Sequence, residues 1–447
     1  MLNKNIKYII RKIEAHNFKA YLVGGAVRNF LLGLEVSDFD ITTNALPQDI
    51  EGIFHKTIPT GKKYGTITVI HDNSSYEVTT FRSDGTYSDG RRPDSVRFST
   101  ELIEDLKRRD FTINAICIDI DEKLIDYFNG IEDIKNKIVR CIGNPDERFT
   151  EDALRMMRAV RFMTQLKFTL DENTRLSIIK NSDLIKNISV ERIREELNKI
   201  LLSDKPSDGI RMIVDTGLMK QIIPEFMDTI GFNQHNPYHD KDVFEHTMEV
   251  LDSTKSKLSL RLAALFHDIS KPECFTQDES GRGHFYEHEV KSSERAKLIM
   301  ERLKYPNDIT EDVRVLVRYH LLKSVDMKDK GVKRYINNVG IDRLENMFDL
   351  NIADIKGKSK IADTSGFERL EILREKCRNI IERKEPLSRK DLKINGRDLE
   401  ALGIEKGHIY TEVLNKVLDL VLEFPERNSK EELKKYVLSL VNEQSDK

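Results

Sequence analysis

Near residue 150 the periodicity of the chain changes, and this limits the possible folds more than any other feature. Before it, short β-type runs alternate with turns: AYLV at 20–23, TITVI at 66–70, YEVTTF at 76–81 and AICIDI at 115–120. After it, apolar residues recur every three or four positions almost to the end, the spacing of amphipathic helices. The pattern implies an α+β chain, with an α/β head followed by an all-α neck, body and tail. Its 447 residues leave room for roughly two to four domains. The expected segments are 1–140 (head), 141–232 (helical neck), 233–384 (helical body) and 385–447 (helical tail). Residues 233–238 and 277–283, rich in Asn, Gly, Pro and Asp, read as loops. Glu385-Pro386-Leu387-Ser388 reads as the linker before the tail.

Composition narrows the class. Charged residues make up 33% and hydrophobic residues 39%, which fits a soluble chain with material for more than one core. The net charge of −3 means that any nucleic-acid surface must be a local basic patch. No apolar run reaches membrane-span length, so no membrane partner is expected. The first 25 residues are helical and charged, without a signal-peptide core. Cys117, Cys141, Cys274 and Cys377 are far apart and fit no zinc or disulfide spacing. A reduced, cytoplasmic location is the expectation.

In the head, the AYLV strand runs into Gly24-Gly25 and then the helical stretch AVRNFLLG. Two glycines between strand and helix let a triphosphate approach the backbone. Shortly after, Ser37-Asp38-Phe39-Asp40-Ile41 sets two carboxylates two residues apart. On a strand these share a face. Adjacent carboxylates repel unless a cation neutralises them, and Mg²⁺ shared with substrate phosphates meets that need. Two-metal chemistry calls for a third carboxylate. Glu77 is the candidate, although a surface strand glutamate gives the same pattern. Further on, Lys107-Arg108-Arg109-Asp110 runs into Phe111-Thr112-Ile113-Asn114-Ala115. Such a basic run is either a solvated helix end or a contact to triphosphate and ribose.

The order and spacing of Gly24-Gly25-x-Val27-Arg28, Asp38-x-Asp40 and Arg108-Arg109-Asp110 resemble class II tRNA nucleotidyltransferases and bacterial poly(A) polymerases. Phe81-Arg82, Tyr87-x-Asp89-Gly90-Arg91-Arg92-Pro93 and Asp126-Tyr127-Phe128-Asn129-Gly130-Ile131-x-Asp133 extend the likeness. It spans essentially the whole chain and implies a polymerase-beta-like head. It also implies CCA addition to tRNA from CTP and ATP, with Asp38 and Asp40 catalytic. The implied nucleotide-binding set is Gly24, Gly25, Arg28, Arg108, Arg109, Asp110, Asn114, Asp152, Arg155 and Arg158. Asn29 departs from the family, which usually carries Asp there; it keeps the size and hydrogen bonding but loses the charge.

Glu151-Asp152-Ala153-Leu154-Arg155-Met156-Met157-Arg158 resembles the family's nucleotide-selecting helix. Asp152 and Arg155, three apart, would be neighbours on one helix face, and the ordinary outcome is a salt bridge. As a selector, the carboxylate accepts from an exocyclic amine and the guanidinium donates to a ring nitrogen. Cytosine and adenine fit; uracil and guanine leave polar groups unpaired. The stretch Ser189-Val190-Glu191-Arg192-Ile193 also matches the family and reads as structural, closing the neck.

The body carries His246, His267-Asp268, His288, His320 and Asp354 in that order, a single pattern that takes in four of the chain's 11 histidines and closes on an Asp. The order resembles HD-type metal-dependent phosphohydrolases, and facing helices are how bundles build di-metal centres. A divalent transition metal (Mn, Fe, Ni or Zn) is expected there. The resemblance implies hydrolysis of phosphomonoesters or 2′,3′-cyclic phosphates. Ser270 stands where Gly is common.

Two basic clusters are candidates for tRNA phosphate contacts. One holds Arg383, Lys384, Arg389, Lys390, Lys393 and Arg397; the other Lys323, Lys328, Lys330, Lys333 and Arg334. Leu392-x-Ile394-x-Gly396-x-Asp398-Leu399 and Phe424-Pro425 resemble the tail of Gram-positive-type CCA-adding enzymes. The rival readings are poly(A) polymerase or an enzyme adding only C or only A. Of another class are a phosphohydrolase or RNA-binding protein with an inactive head.

Overall fold

Alternating side chains build the head sheet. In Thr66–His71, Ile67 and Val69 are buried, and in Ser74–Thr80, Tyr76 and Val78 are. The computed structural model describes residues 2–36, 38–85, 95–235, 241–321, 327–358, 365–404 and 407–445. The motif at 87–93, residues 236–238 of the expected loop and Lys323 lie outside the described residues. The strands are β1 (Ala20–Val23), β2 (Asp40–Thr43), β3 (Thr57–Gly61), β4 (Thr66–His71), β5 (Ser74–Thr80), β6 (Arg82–Asp84), β7 (Val96–Phe98), β8 (Ile116–Ile118) and β9 (Leu124–Asp126). Seven of them form one sheet in the order β3-β4-β5-β2-β1-β8-β9, and β6 and β7 form a separate ribbon. The helix Lys4–Glu14 buries Ile6, Ile9, Ile10 and Ile13 along one face, the helical period in practice.

Registers fix the future site. Asp40, the first residue of β2, pairs antiparallel with Val23 at the end of β1 and parallel with Glu77 of β5. Asp38 is not on the strand, contrary to expectation. Val23 is the last residue of β1, beyond which the chain turns at Gly24, so the pairing starts at Asp40 and Asp38 sits in the lead-in.

The Asp126–Asp133 motif is structural. Asp126 accepts from the amides of Phe128, Gly130 and Ile131 at 2.9–3.1 Å, which starts the helix Gly130–Asn136. Gly130 is required, because a Cβ there would lie 2.2 Å from the Thr112 carbonyl oxygen. Asp133 then takes the Thr112 hydroxyl at 2.6 Å.

The chain divides into two compact units, residues 1–227 and 228–447. The first joins the head to helices that include Pro145–Glu151, Leu154–Leu166 and Val190–Leu201. Leu154–Leu166 is central among them, with Met156, Met157, Ala159 and Val160 fully buried.

The second unit is helical apart from a short hairpin of Phe275–Gln277 and Gly283–Phe285, which flanks the expected loop at 277–283. Its last part has its own apolar cluster, including Leu399, Val417, Val421, Leu433 and Val437. Three of the five residues of one basic cluster are engaged internally. Lys333 pairs with Glu385 at 2.5 Å, Arg334 with Asp419 at 2.8 Å, and Lys330 with Glu423. These three tie the helix Asp329–Val339 to the tail, so they are not free phosphate contacts. Arg389, Lys390, Lys393 and Arg397 are exposed. No helix among the described residues is long and apolar enough to cross a membrane.

Candidate active site and metal centre

Gly24 has φ +79°, a conformation that L side chains rarely adopt, and a Cβ there would press on an Arg109 guanidinium nitrogen at 3.3 Å. Around this turn opens a cavity of about 410 Å³. Its walls include Gly24, Gly25, Arg28, Asn29, Asp38, Asp40, Arg109, Asp110, Asn114, Arg158, Arg161 and Phe162. Burial and the charge of Asp38 push the Asp40 carboxyl above its ordinary range, against the pull of Arg109. Glu77 is raised likewise, by burial and then by Asp40 and Asp38. Asp38 acts on Asp40, and both act on Glu77, so these carboxylates repel one another in the metal-free chain, and a divalent ion at Asp38 and Asp40 would relieve that repulsion.

The opposite wall is cationic. The guanidinium carbons of Arg28, Arg158 and Arg161 lie 4.9, 5.4 and 4.2 Å from the Phe162 ring centroid. Burial, then the charges of Arg161 and Arg158, bring Arg28 down to about 10, so it stays protonated at neutral pH. Asp110 fixes Arg158 with bonds of 2.6 and 2.8 Å and takes the Asn114 amide at 3.0 Å. Asn114 in turn accepts from Arg28 at 2.5 Å. Asn29 orients the same guanidinium, accepting at 2.8 and 3.1 Å, so its neutral amide serves as an acceptor. Arg161, which the sequence reading passed over, pairs with Glu196 at 3.1 Å. Its visible signal was the three-residue spacing Arg155, Arg158, Arg161. Buried Asp105, also unmarked in the sequence, accepts from Arg108 at 2.7 Å, Arg109 at 3.3 Å and Thr42 at 3.0 Å. Burial raises its carboxyl, but the two arginines hold it below the usual range. Arg108, Glu77, Asp152 and Arg155 do not belong to the cavity lining.

Asp152 and Arg155 are not partners on one helix face. Asp152 is extended (φ −145°, ψ 101°) and separates the helix Pro145–Glu151 from Leu154–Leu166. It caps the second helix through the Leu154 amide at 3.0 Å, and Arg192 reaches it at 2.7 and 3.3 Å. Arg155 bonds instead to Glu151 at 2.5 Å and to the Arg148 and Arg108 carbonyls. The tertiary pull of Arg192 competes with helix continuity at an Asp, a weak helix former.

In the second unit the expected order of ligands converges. His246 lies on the helix Val243–Ser253 and Asp354 on Leu344–Gly357. His267 and His320 end helices, and His288 begins His288–Arg302. Two triads result: His246, His267 and Asp354, and Asp268, His288 and His320, each with donor atoms within 4.8 Å. Asp268 faces both, with Oδ2 3.2 Å from His267 Nε2 and Oδ1 3.3 Å from His288 Nε2. Every Nδ1 meets a backbone carbonyl: His246 to Gly357 at 3.1 Å, His267 to Ala264 at 2.8 Å, His288 to Phe285 and His320 to Val317 at 2.7 Å. Carbonyls only accept, so Nδ1 carries the hydrogen and each Nε2 lone pair turns inward. The Nε2 atoms of His246 and His267 face each other at 3.3 Å, and His288 Nε2 and Asp268 Oδ1 are buried without a hydrogen bond. This donor set fits divalent metal. Burial, with His267 and His288, drives His320 down to about 3, keeping it neutral. Lys271 approaches Asp268 at 2.7 Å and Lys358 approaches Asp354 at 2.8 Å.

Comparison with known proteins agrees with this division. Residues 20–140 match the poly A polymerase head domain, 167–229 a probable RNA and SrmB-binding site of polymerase A, and 241–354 the HD domain. A CCA-adding enzyme of Lactobacillus helveticus is 36% identical over 97% of this chain and 96% of its own length. The chain belongs to the CCA-adding enzyme family. Another CCA-adding enzyme, from Ligilactobacillus salivarius, is 37% identical over 92% of this chain and 89% of its own. A solved structure of this family, the Bacillus stearothermophilus CCA-adding enzyme in complex with CTP, matches at a TM-score of 0.68 and 29% identity. It covers 98% of both chains. The family's head and the HD domain both imply divalent metal use.

Proposed function

We infer that the chain adds CCA to the 3′ end of tRNA without a template, using CTP and ATP. The 3′-oxygen of the RNA attacks the α-phosphorus, the bond to the bridging oxygen breaks, pyrophosphate leaves and the hydroxyl proton passes to solvent. Asp38 and Asp40, with Glu77, would hold Mg²⁺. When bound, the ion lowers the pKa of the 3′-hydroxyl and neutralises triphosphate charge. Arg28, Arg109 and Arg158 bind phosphates, with Arg161 beside them; Asp110 and Asn114 keep these guanidinium groups aimed. Arg108 contacts phosphate or ribose. Asp152 and Arg155 choose the base. The observation that carries this reading is the meeting of the carboxylate pair and the arginine wall in one cavity. Pyrophosphate release on tRNA lacking CCA tests it: Asp38→Ala and Asp40→Ala lose the activity, and substantial activity in both defeats the assignment.

The HD triads would hold divalent transition metal, manganese, iron, nickel or zinc. When bound it activates water for hydrolysis of phosphomonoesters or 2′,3′-cyclic phosphates. The histidine–carbonyl bonds fix the ligand tautomers, and Lys271 and Lys358 attract the phosphate. The exposed Arg389, Lys390, Lys393 and Arg397 contact tRNA phosphates. The working division is a head at 1–140, neck at 141–232, HD domain at 233–384 and tail at 385–447, in a cytoplasmic protein.

A further inference from the structure

The cavity at the HD centre has an aromatic side that the ligand set does not use. It measures about 290 Å³, near the lower bound of small-molecule sites. Asp268, His320 and Asp354 line it together with the ammonium-bearing Lys271 and Lys358, and His284 and Tyr286 belong to the same lining. These last two, at the end of the short hairpin, stack with ring centroids 5.5 Å apart and planes 8° from parallel. The imidazole is itself anchored. His284 Nε2 meets Asp278 Oδ2 at 2.7 Å, and the other Asp278 oxygen accepts the amides of Ser280 and Arg282 at 2.9 and 3.0 Å. Tyr286, supported on one face, is 71% exposed, more than any other large hydrophobic side chain among the described residues. A solvent-facing ring stacked on an anchored imidazole, in the wall of a cavity that also holds two lysines, has little to offer stability. It has much to offer a flat ligand, since base–aromatic stacking accepts any π face.

We propose that Tyr286, backed by His284, is the specificity-determining platform of the HD site and stacks the base of a nucleotide phosphoester. The phosphate is directed toward Lys271, Lys358 and the ligand cluster, and the base lies over the phenol ring. The shared chemistry is a purine or pyrimidine nucleotide, whether free or at an RNA end. This rests on the phosphohydrolase reading above.

The test uses the full chain loaded with Mn²⁺ and follows release of inorganic phosphate from adenosine 3′-monophosphate and from glycerol 2-phosphate, which has no base. The expected result is that Tyr286→Ala lowers the ratio of kcat/KM for nucleotide over glycerol phosphate by about 10- to 100-fold, mainly through KM. Tyr286→Phe restores the ratio. A short RNA ending in 3′-phosphate, compared with the mononucleotide, tells chain end from free nucleotide by the larger kcat/KM. An unchanged ratio in Tyr286→Ala overturns the proposal. Calorimetric binding of adenosine 3′-monophosphate to the Mn²⁺-loaded wild type and Tyr286→Ala separates the two ideas. Tyr286-dependent binding without hydrolysis refutes the phosphohydrolase reading and supports the platform; Tyr286-independent binding refutes the platform.

Discussion

Arg192 clasps Asp152 with both terminal nitrogens, at 2.7 and 3.3 Å, from a helix that otherwise packs the neck. The carboxylate is thereby held between two helices with its acceptor atoms ordered before any nucleotide arrives. Asp152→Ala should relax base choice, so that UTP and GTP are used relatively better against CTP and ATP. Loss of such a contact is worth ~1–3 kcal/mol, or about 10- to 100-fold in discrimination. Arg192→Ala should relax it in the same direction but less. The check is kcat/KM for all four triphosphates on one tRNA. Equal slowing with every nucleotide would make Asp152 a capping residue only.

Asp40 and Glu77 face each other across β2 and β5, and both carboxyls are raised. Their charged forms therefore disfavour the metal-free fold. Stability in EDTA should fall as pH rises through these raised values and be regained on acidification. Asp40→Asn should abolish nucleotide incorporation and yet melt at a higher temperature than wild type in EDTA at neutral pH. A clear drop in melting temperature would mean that Asp40 is chiefly a structural partner.

Asp110 has the opposite sign. Burial would raise it, but Arg158 and Asn114 hold it far below the ordinary carboxylate range. Its stabilisation is present above the unfolded value and lost as pH falls through the folded one. Asp110→Ala should cost about 2–3 kcal/mol, less than a fully buried pair because the Arg158 side chain is 33% exposed. Denaturant melts at neutral and acid pH measure this: the variant's deficit should shrink in acid. A constant deficit contradicts the ion-pair account.

Much of this was legible in the chain. Gly24-Gly25 and Asp38-x-Asp40 can be read because a glycine turn and same-strand carboxylates depend on local geometry, even though Asp38 fell just outside the strand. The histidine order was legible because the identity and sequence of the ligands, His, His-Asp, His, His and Asp, are themselves the pattern, whether a ligand ends a helix as His267 does or lies within one as His246 does. The break at Asp152 was not, since Arg192 lies on another helix. Nor was the silence of Lys330, Lys333 and Arg334, whose acid partners Glu423, Glu385 and Asp419 are remote in sequence. Local patterns carry elements and motifs; the charges that neutralise or aim them arrive from distant segments.

The two sites should be separable. His267→Ala with Asp268→Ala removes donors from both triads, so bound transition metal and phosphate-ester hydrolysis should disappear while CCA addition continues. Elemental analysis of purified protein decides the first part. Unchanged metal content would place the metal elsewhere.

The most direct test incubates the full chain and Mg²⁺ with tRNA lacking CCA, supplying CTP alone, ATP alone, UTP or GTP alone, and CTP with ATP, and sizes the products at single-nucleotide resolution. The account predicts limited C addition with CTP alone, completion to CCA only when ATP is also present, and negligible use of UTP or GTP. Long adenylate tails from ATP alone, or no incorporation under any condition, would contradict it.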